Sequence, residues 1–348
     1  MDLIARIAAL RKEQPHSLAV KHFEADWFSA LPPDDQNAFA LRVRSGLENP
    51  DSQMGCYALE ADDYTRFAAF FDRVIADHHG VEIHDLDHAP RKQVLAEGPD
   101  LPLSKRIRIG RNLAGLPLPG GMDSKQRRAL EQDVAEAVQR LPQEFQHFSL
   151  TPGHANGIST SEYQRLIEQH LFFKPMDTDP YLASAGIAGD WPVGRAAFVS
   201  ADGGTIIWVN EEDHLRLMVM DETHSFPALL HRLQGLENAL SQALGEPFAT
   251  HDRLGFVTSC PTNIGTAMRA SIHVPLPNIL TQEGMEGLKG RATEMGLSVR
   301  GVGGEHTEAG ADGMVDLSPR ARLGVTPEAI IDQLQRGLTA LMAKEASG

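Results

Sequence analysis

The 348-residue chain predicts an α+β protein: a small all-helical N-terminal domain over residues 1–85, then a larger domain over 86–348 built on an antiparallel sheet flanked by helices. Three observations lead there. The length exceeds what one compact core usually supports. Through about residue 80 the apolar residues recur at helical spacing with few strand signals. Beyond residue 85, short alternating runs with turn signals take over, interrupted by longer amphipathic segments.

At the start, MDLIARIAALRKEQ reads as an amphipathic helix rather than a secretion signal. In DDYTRFAAFFDRVIADHH, Phe67, Phe70, Phe71, Val74 and Ile75 fall on one apolar stripe. Between helices, LENPDSQMGCYALE carries Pro, Asp, Ser and Gly without periodicity, which marks a loop and a candidate binding loop. SKQRRALEQDVAEAVQRL and the leucine-rich stretch from Leu229 to Leu244 read as helices of the second domain. STSEYQRLIEQH opens with a capping box from Ser159 to Glu162, and TPEAIIDQLQRGL has Thr326 as N-cap with Pro327 at the first helical position. The runs RAAFVS, TIIWVN and LRLMVM, joined by ADGG and NEED, make consecutive hairpins and hence an antiparallel sheet. The chain shows no repeat at solenoid or propeller spacing and no low-complexity segment.

Composition narrows the function classes. Hydrophobic residues at 42% and charged residues at 23% fit an ordinary globular protein, and no apolar run approaches the roughly 20 residues that span a bilayer, so the expected location is the cytoplasm. A net charge of −15 disfavours general attraction to nucleic acid or an anionic membrane; a polyanionic small substrate would need a local positive cluster. Cys56 and Cys260 are the only cysteines and are far apart in sequence, which indicates neither a disulfide framework nor a zinc site.

Such a positive cluster is written into the strands. In PLSKRIRIGR a period of two puts Arg106 and Arg108 on one face against Ile107 and Ile109 on the other. In TAMRASIHVPLP it puts Arg269, Ser271 and His273 opposite Met268, Ala270, Ile272 and Val274, and in LRLMVM Arg216 opposes Leu215 and Leu217. Arginine suits a phosphate site because its planar fork donates two parallel hydrogen bonds and stays charged. The same alternation equally describes half-exposed strands whose arginines pair with carboxylates. In WVNEEDHLR, Glu211, Glu212, Asp213 and His214 crowd a turn that by itself is a charged hairpin, since one histidine beside carboxylates lacks a closed metal-ligand set. VRGVGGEHTEAGADG, with Arg300 and Glu305, is a glycine-rich lid over a nucleotide or simply a long connection; it matches neither a P-loop nor a Rossmann fingerprint.

In order and spacing, SKRIRIGR, WPVGR with WVNEEDHLR, SCPTNIGTAMRASIH and RGVGGEHTEA resemble the motifs of the phosphagen kinases, the ATP:guanidino phosphotransferase family that includes arginine and creatine kinases. The resemblance runs from about Ser17 to the end. It implies a helical N-terminal domain and a glutamine synthetase-like catalytic domain. It further implies that Arg106, Arg108, Arg216, Arg269 and Arg300 grip the ATP phosphates with Ser104 beside them, and that His170, His273 and Asp316 lie near the base and ribose. Glu212 would contact the guanidinium, Glu305 would be its second carboxylate partner, and Cys260 would lie against it. Creatine kinases carry an apolar residue in place of Glu305, so the acidic residue points to the arginine-specific branch. DSQMGCY resembles that branch's short loop: Ser52, Gln53, Met54, Gly55 and Tyr57 would hold the amino acid carboxylate through backbone amides and its amino group through the phenol. A thiolate beside a cationic substrate and several arginines would be favoured, so the Cys260 pKa is expected to be lowered.

The implied partners are ATP/ADP and L-arginine/phosphoarginine, with no nucleic acid and no membrane. Mg2+ would enter as Mg-ATP, held by phosphate oxygens and water rather than by protein ligands. The rival readings are a kinase for another guanidine, such as taurocyamine or lombricine, and a non-catalytic arginine or nucleotide sensor on the same fold.

Overall fold

The computed structural model describes residues 2–13, 16–86, 102–301 and 309–347. The regular structure of the first two of these segments is helical: α1 (Leu3–Glu13), α2 (Leu18–His22), α3 (Ala25–Ala30), α4 (Pro33–Arg42), α5 (Arg44–Glu48), α6 (Asp63–Arg66) and α7 (Ala68–His79). The Phe-rich stripe is the centre of their core. Phe39 meets Phe70 edge-on at 4.9 Å between centroids, and Trp27 meets Phe39 in the same way at 5.0 Å. The stripe spans two helices rather than one, because Phe67 leaves helical geometry (φ −113°, ψ 32°) between α6 and α7. The expected 85/86 boundary adjoins residues 87–101, which lie outside the described residues.

The larger part contains β1 (Lys105–Arg111), α8 (Ser124–Val138), β2 (Phe145–Ser149), α9 (Thr160–Glu168), α10 (Pro180–Ser184), β3 (Ala196–Ser200), β4 (Thr205–Val209), β5 (Leu215–Asp221), α11 (Phe226–Leu244), β6 (Thr250–His251), β7 (Gly255–Phe256), β8 (Met268–Pro275), α12 (Pro277–Glu294), β9 (Leu297–Gly301), β10 (Met314–Pro319) and α13 (Pro327–Ser347). Eight strands form one sheet in the order β2-β3-β4-β5-β1-β8-β10-β9, antiparallel at every pairing, while β6 and β7 pair separately. Thr326 caps α13 through Ala329 N, as its sequence suggests. The capping box expected at Ser159 is only half made. Ser159 Oγ accepts from Glu162 N, but the Glu162 carboxylate turns to Arg165 one turn on, at 2.7 Å.

The sheet's two faces explain where a site can form. On one face Ile107, Ile109, Leu215, Leu217, Met268, Ala270, Ile272, Val274, Val315 and Leu317 join the core shared with α8, α11, α12 and α13. The opposite face changes character along the sheet. Over β3 to β5 it is apolar, with Ala197, Val199, Ile206, Trp208 and Met218 continuous with the core of the helical domain. Over β1, β8, β10 and β9 it carries arginine, serine, histidine and aspartate instead.

Candidate active site

Strand register gathers the sequence-predicted arginines. Arg108 on β1 sits opposite Arg269 on β8, Gly110 opposite Arg216 on β5, and Arg106 opposite Ser271. On β10, Asp316 lies between His273 of β8 and Arg300 of β9. The guanidinium groups are close enough to oppose one another. Burial, then the charges of Arg216, Arg269 and Arg106, hold Arg108 well below the ordinary arginine range. Arg106 is lowered by burial and by Arg269. Carboxylates answer part of this charge: Arg269 Nη2 donates to Asp316 Oδ2 at 2.7 Å, and Arg216 donates to Glu211 at 2.7 Å and Glu212 at 3.3 Å. Like charges confined this way favour a polyanion that relieves their repulsion.

The acidic turn between β4 and β5 is buried, not a solvated hairpin. Asn210 enters it in a left-handed conformation (φ 55°), and its side-chain amide donates to the Gly194 carbonyl at 2.8 Å. Asp213 Oδ1 accepts from Asn112 Nδ2 (2.7 Å) and Ser259 N (2.8 Å), tying the turn to the Cys260 segment. Gly110 is required beside it, since a Cβ there would lie 2.8 Å from Asp213 Oδ2. His214 accepts from Leu113 N at Nδ1, so its Nε2–H donates to Pro117 O at 2.8 Å, and burial lowers its pKa to about 4. Held on this frame, Glu212 Oε2 accepts from Arg216 and Asn263 at 3.3 Å each. Burial pushes the Glu212 pKa up to about 7, with Glu211 and Asp213 adding to the rise and Arg216 and Arg108 opposing it.

Cys260 corrects one expectation. Its thiol lies 3.1 Å from Thr262 Oγ1, and its pKa is raised, not lowered. Burial is the main cause, followed by the Glu212 carboxylate; the bond to Thr262 offsets only part. The group nearest the sulfur in charge terms is an acid, so the thiol keeps its proton. Cys56, remote in sequence, is a buried neighbour whose own pKa rises partly through Cys260.

The loop after α5 is more enclosed than an exposed binding loop would be. Ser52, Met54, Gly55, Cys56, Tyr57, Ala58 and Leu59 are all buried. Gly55 adopts φ +72° with its N–H donating to Ser52 Oγ at 3.0 Å, and a Cβ there would meet Ser17 Oγ at 2.7 Å. Ser52 and Gly55 therefore shape the turn from behind. Backbone bonds from Leu18 N to Gln53 O (2.8 Å), Ala19 N to Met54 O (3.0 Å) and Ala58 N to Ser259 O (2.8 Å) fix the loop between the two parts of the chain. Beneath it the buried Arg42–Asp63 pair, at 2.9 Å, is completed by Leu59 N and Glu60 N donating to Asp63.

These pieces meet in one cleft of about 1780 Å³, lined by Gln53, Met54 and Tyr57 from the helical part and by Arg108, Glu212, Cys260, Arg269 and Arg300 from the sheet part. Arg216 shares a small adjoining cavity with Arg108 and Arg269. Arg106, Asp316 and His170 form a second group around His273, whose charge each of them influences. Ser104 precedes β1 there and accepts from His273 N at 2.9 Å through its carbonyl. Glu305 lies outside the described residues. Sequence reasoning missed Arg322, which shares the space around Arg108 and Arg216 with Asn263 of the Cys260 motif, and His79, whose Nε2 lies 2.9 Å from Pro261 O in the cleft wall. Neither Arg322 nor His79 lies on a periodic strand, and only the fold brings them there.

Comparison with known proteins agrees with this arrangement. Residues 13–76 match the ATP:guanido phosphotransferase N-terminal domain, and residues 129–347 match the C-terminal catalytic domain of the same family. An arginine kinase of Penaeus japonicus is 35% identical over 343 residues, covering 94% of this chain and 93% of the relative. Among solved structures, the substrate-free duplicated taurocyamine kinase from Schistosoma mansoni aligns with a TM-score of 0.85 and 30% identity over 99% of this chain; the chain spans 49% of that protein. A lombricine kinase aligns with a TM-score of 0.86 and 25% identity, covering 95% of this chain and 92% of its own.

Proposed function

The chain belongs to the ATP:guanido phosphotransferase family, and from that premise we propose that it is an arginine kinase, transferring the γ-phosphoryl of Mg-ATP reversibly to the guanidinium of free L-arginine. An ATP-dependent phosphotransferase activity follows from the family. The choice of arginine is the finer step. One observation carries it: the short Gln53–Met54–Tyr57 loop faces Glu212, Cys260 and the arginine cluster across a single cleft, as an acceptor with an amino acid end and a guanidinium end requires. We take residues 1–85 as the acceptor-side domain and 86–348 as the catalytic domain.

In this reading the arginines on β1, β5, β8 and β9 receive the phosphates of Mg-ATP, with Asp316 keeping Arg269 in place and His170 and His273 toward the base and ribose. Phosphoryl transfer through a loose, metaphosphate-like state asks the protein for alignment and charge stabilisation rather than covalent chemistry. Losing one aligned guanidinium would cost on the order of 10² to 10³ in turnover. Glu212, buried and half-protonated near neutrality without substrate, becomes fully ionised when a guanidinium arrives, and then fixes the plane of that group. A guanidinium is so weak an acid that this alignment outweighs proton abstraction. Tyr57, kept protonated by burial and by nearby Cys260 and Glu212, acts as a hydrogen-bond partner for the amino acid end. Glu305 would supply the second carboxylate.

A second reading, a kinase for taurocyamine or lombricine, draws on the solved structures of such kinases that this fold resembles. Release of ADP with Mg-ATP and a panel of L-arginine, taurocyamine, lombricine and creatine separates the two. Turnover highest on arginine supports the proposal. Clear turnover on another guanidine and none on arginine refutes it, and no turnover on any favours the sensor.

A further inference from the structure

At the β2 edge of the sheet, away from the cleft, Glu131 on α8, His147 on β2 and His154 in the following loop bring a carboxylate and two imidazoles together. One donor atom from each lies within 4.8 Å of the others. We infer that this triad binds a divalent transition-metal ion of the zinc class, at a site separate from phosphoryl transfer.

The geometry fits a shared ion better than a hydrogen bond. His147 Nε2 is shut off from solvent and has no hydrogen-bond partner. It stands 3.6 Å from Glu131 Oε1, too far for donation to a carboxylate. Two donors on a tetrahedral ion with bonds near 2.1 Å are separated by about 3.4 Å. The two imidazole rings are 5.0 Å apart between centroids at 61°, and rings sharing such an ion stand about 5 Å apart.

The surroundings prepare the donors. Ser149 Oγ and Thr151 Oγ1 both donate to the Glu131 carboxylate, at 2.5 and 2.6 Å, so the buried acid is an ionised acceptor with lone pairs to spare. The His147 ring stacks on Phe198 at 4.2 Å, which fixes its plane. Its Nδ1 accepts from Asn156 Nδ2 at 2.9 Å, so freeing the Nε2 lone pair for an ion requires the Asn156 amide to turn its oxygen toward a protonated Nδ1. His154 Nδ1 accepts from Asn156 N at 3.1 Å, so seating an ion on this ring costs that local turn bond or a ring proton, and affinity falls as pH drops. On the loop side, where Asn156 is exposed, water would complete the coordination. Among the described residues no other group of this kind occurs. A bound ion would pin the loop to α8 and brace an edge strand.

Metal-free full-length protein titrated with Co2+ tests the site through the visible d–d absorption of tetrahedral cobalt, followed by displacement with Zn2+. The expected result is one ion per chain, with affinity reduced at least tenfold by His154→Ala and by Glu131→Gln. His224→Ala, at a surface histidine whose side chain is 65% exposed, should leave it unchanged. Zn2+ should also raise the thermal midpoint of the parent chain but not of His154→Ala, and His154→Ala should keep its phosphotransferase activity. Should Glu131→Gln fail to fold, the loop variant His154→Ala still decides. Absence of tetrahedral cobalt absorption, or absorption that survives His154→Ala, overturns the site.

Discussion

Replacing Glu212 with glutamine separates the cost of the buried carboxylate from its use. In the folded chain this acid titrates at about 7 against an ordinary 4.5, chiefly because of burial. A raised folded pKa means that the native state keeps its proton where the unfolded chain has lost it. The group's contribution to stability is therefore full below 4.5 and disappears as pH rises through about 7. At 1.36 kcal/mol per pKa unit the loss is about 3 kcal/mol, a large share of the roughly 5–15 kcal/mol that holds a domain folded. In urea unfolding, Glu212→Gln should match the parent chain near pH 4.5 and exceed it by up to about 3 kcal/mol at about pH 8.5. The same variant should lose on the order of 10² to 10³ in kcat/KM for the guanidine. A stability difference that is flat with pH, or a variant less stable than the parent at about pH 8.5, would refute the reasoning.

Three further outcomes follow from the same geometry. Because protons compete with the guanidinium for Glu212, acceptor affinity should weaken roughly tenfold between pH 8 and pH 6, and a pH-independent affinity in calorimetry would contradict that. Gly55→Ala forces a side chain into φ +72° and against Ser17 Oγ, so about 2–4 kcal/mol of stability should be lost and KM for the acceptor should rise more than KM for ATP. An unchanged melting temperature would count against the constraint. Alkylation of Cys260 should accelerate only above the ordinary thiol range and should be blocked by the acceptor with ADP; a rate midpoint at or below about 8.5 would restore the lowered pKa expected from sequence.

What was legible in the sequence was whatever is periodic. Arg106 and Arg108, Arg216, and Arg269 with His273 were placed on the correct faces because a strand alternates strictly, and the buried partners Ile107, Leu217 and Ala270 mark the other face. Helix α12 was not singled out: Gly284, at φ 68°, and two further glycines blur its period. Neither was the strand pair β9–β10, whose residues acquire meaning only through Asp316 standing between His273 and Arg300. Electrostatics was the least legible. The Cys260 pKa was judged from its cationic company, whereas the fold sets Glu212 and Asp213 nearer in effect and removes water from all three. The triad of Glu131, His147 and His154 likewise has no ligand spacing along the chain; it exists only because α8 packs over the β2 edge.

The most direct test of the central claim follows the γ-phosphoryl group itself by 31P NMR, with the protein, Mg-ATP and L-arginine. The account predicts that ATP signal is replaced one for one by ADP and a phosphoramidate resonance, and that added ADP drives the reaction back. Inorganic phosphate as the only new product, or no change while another guanidine is phosphorylated, would contradict it.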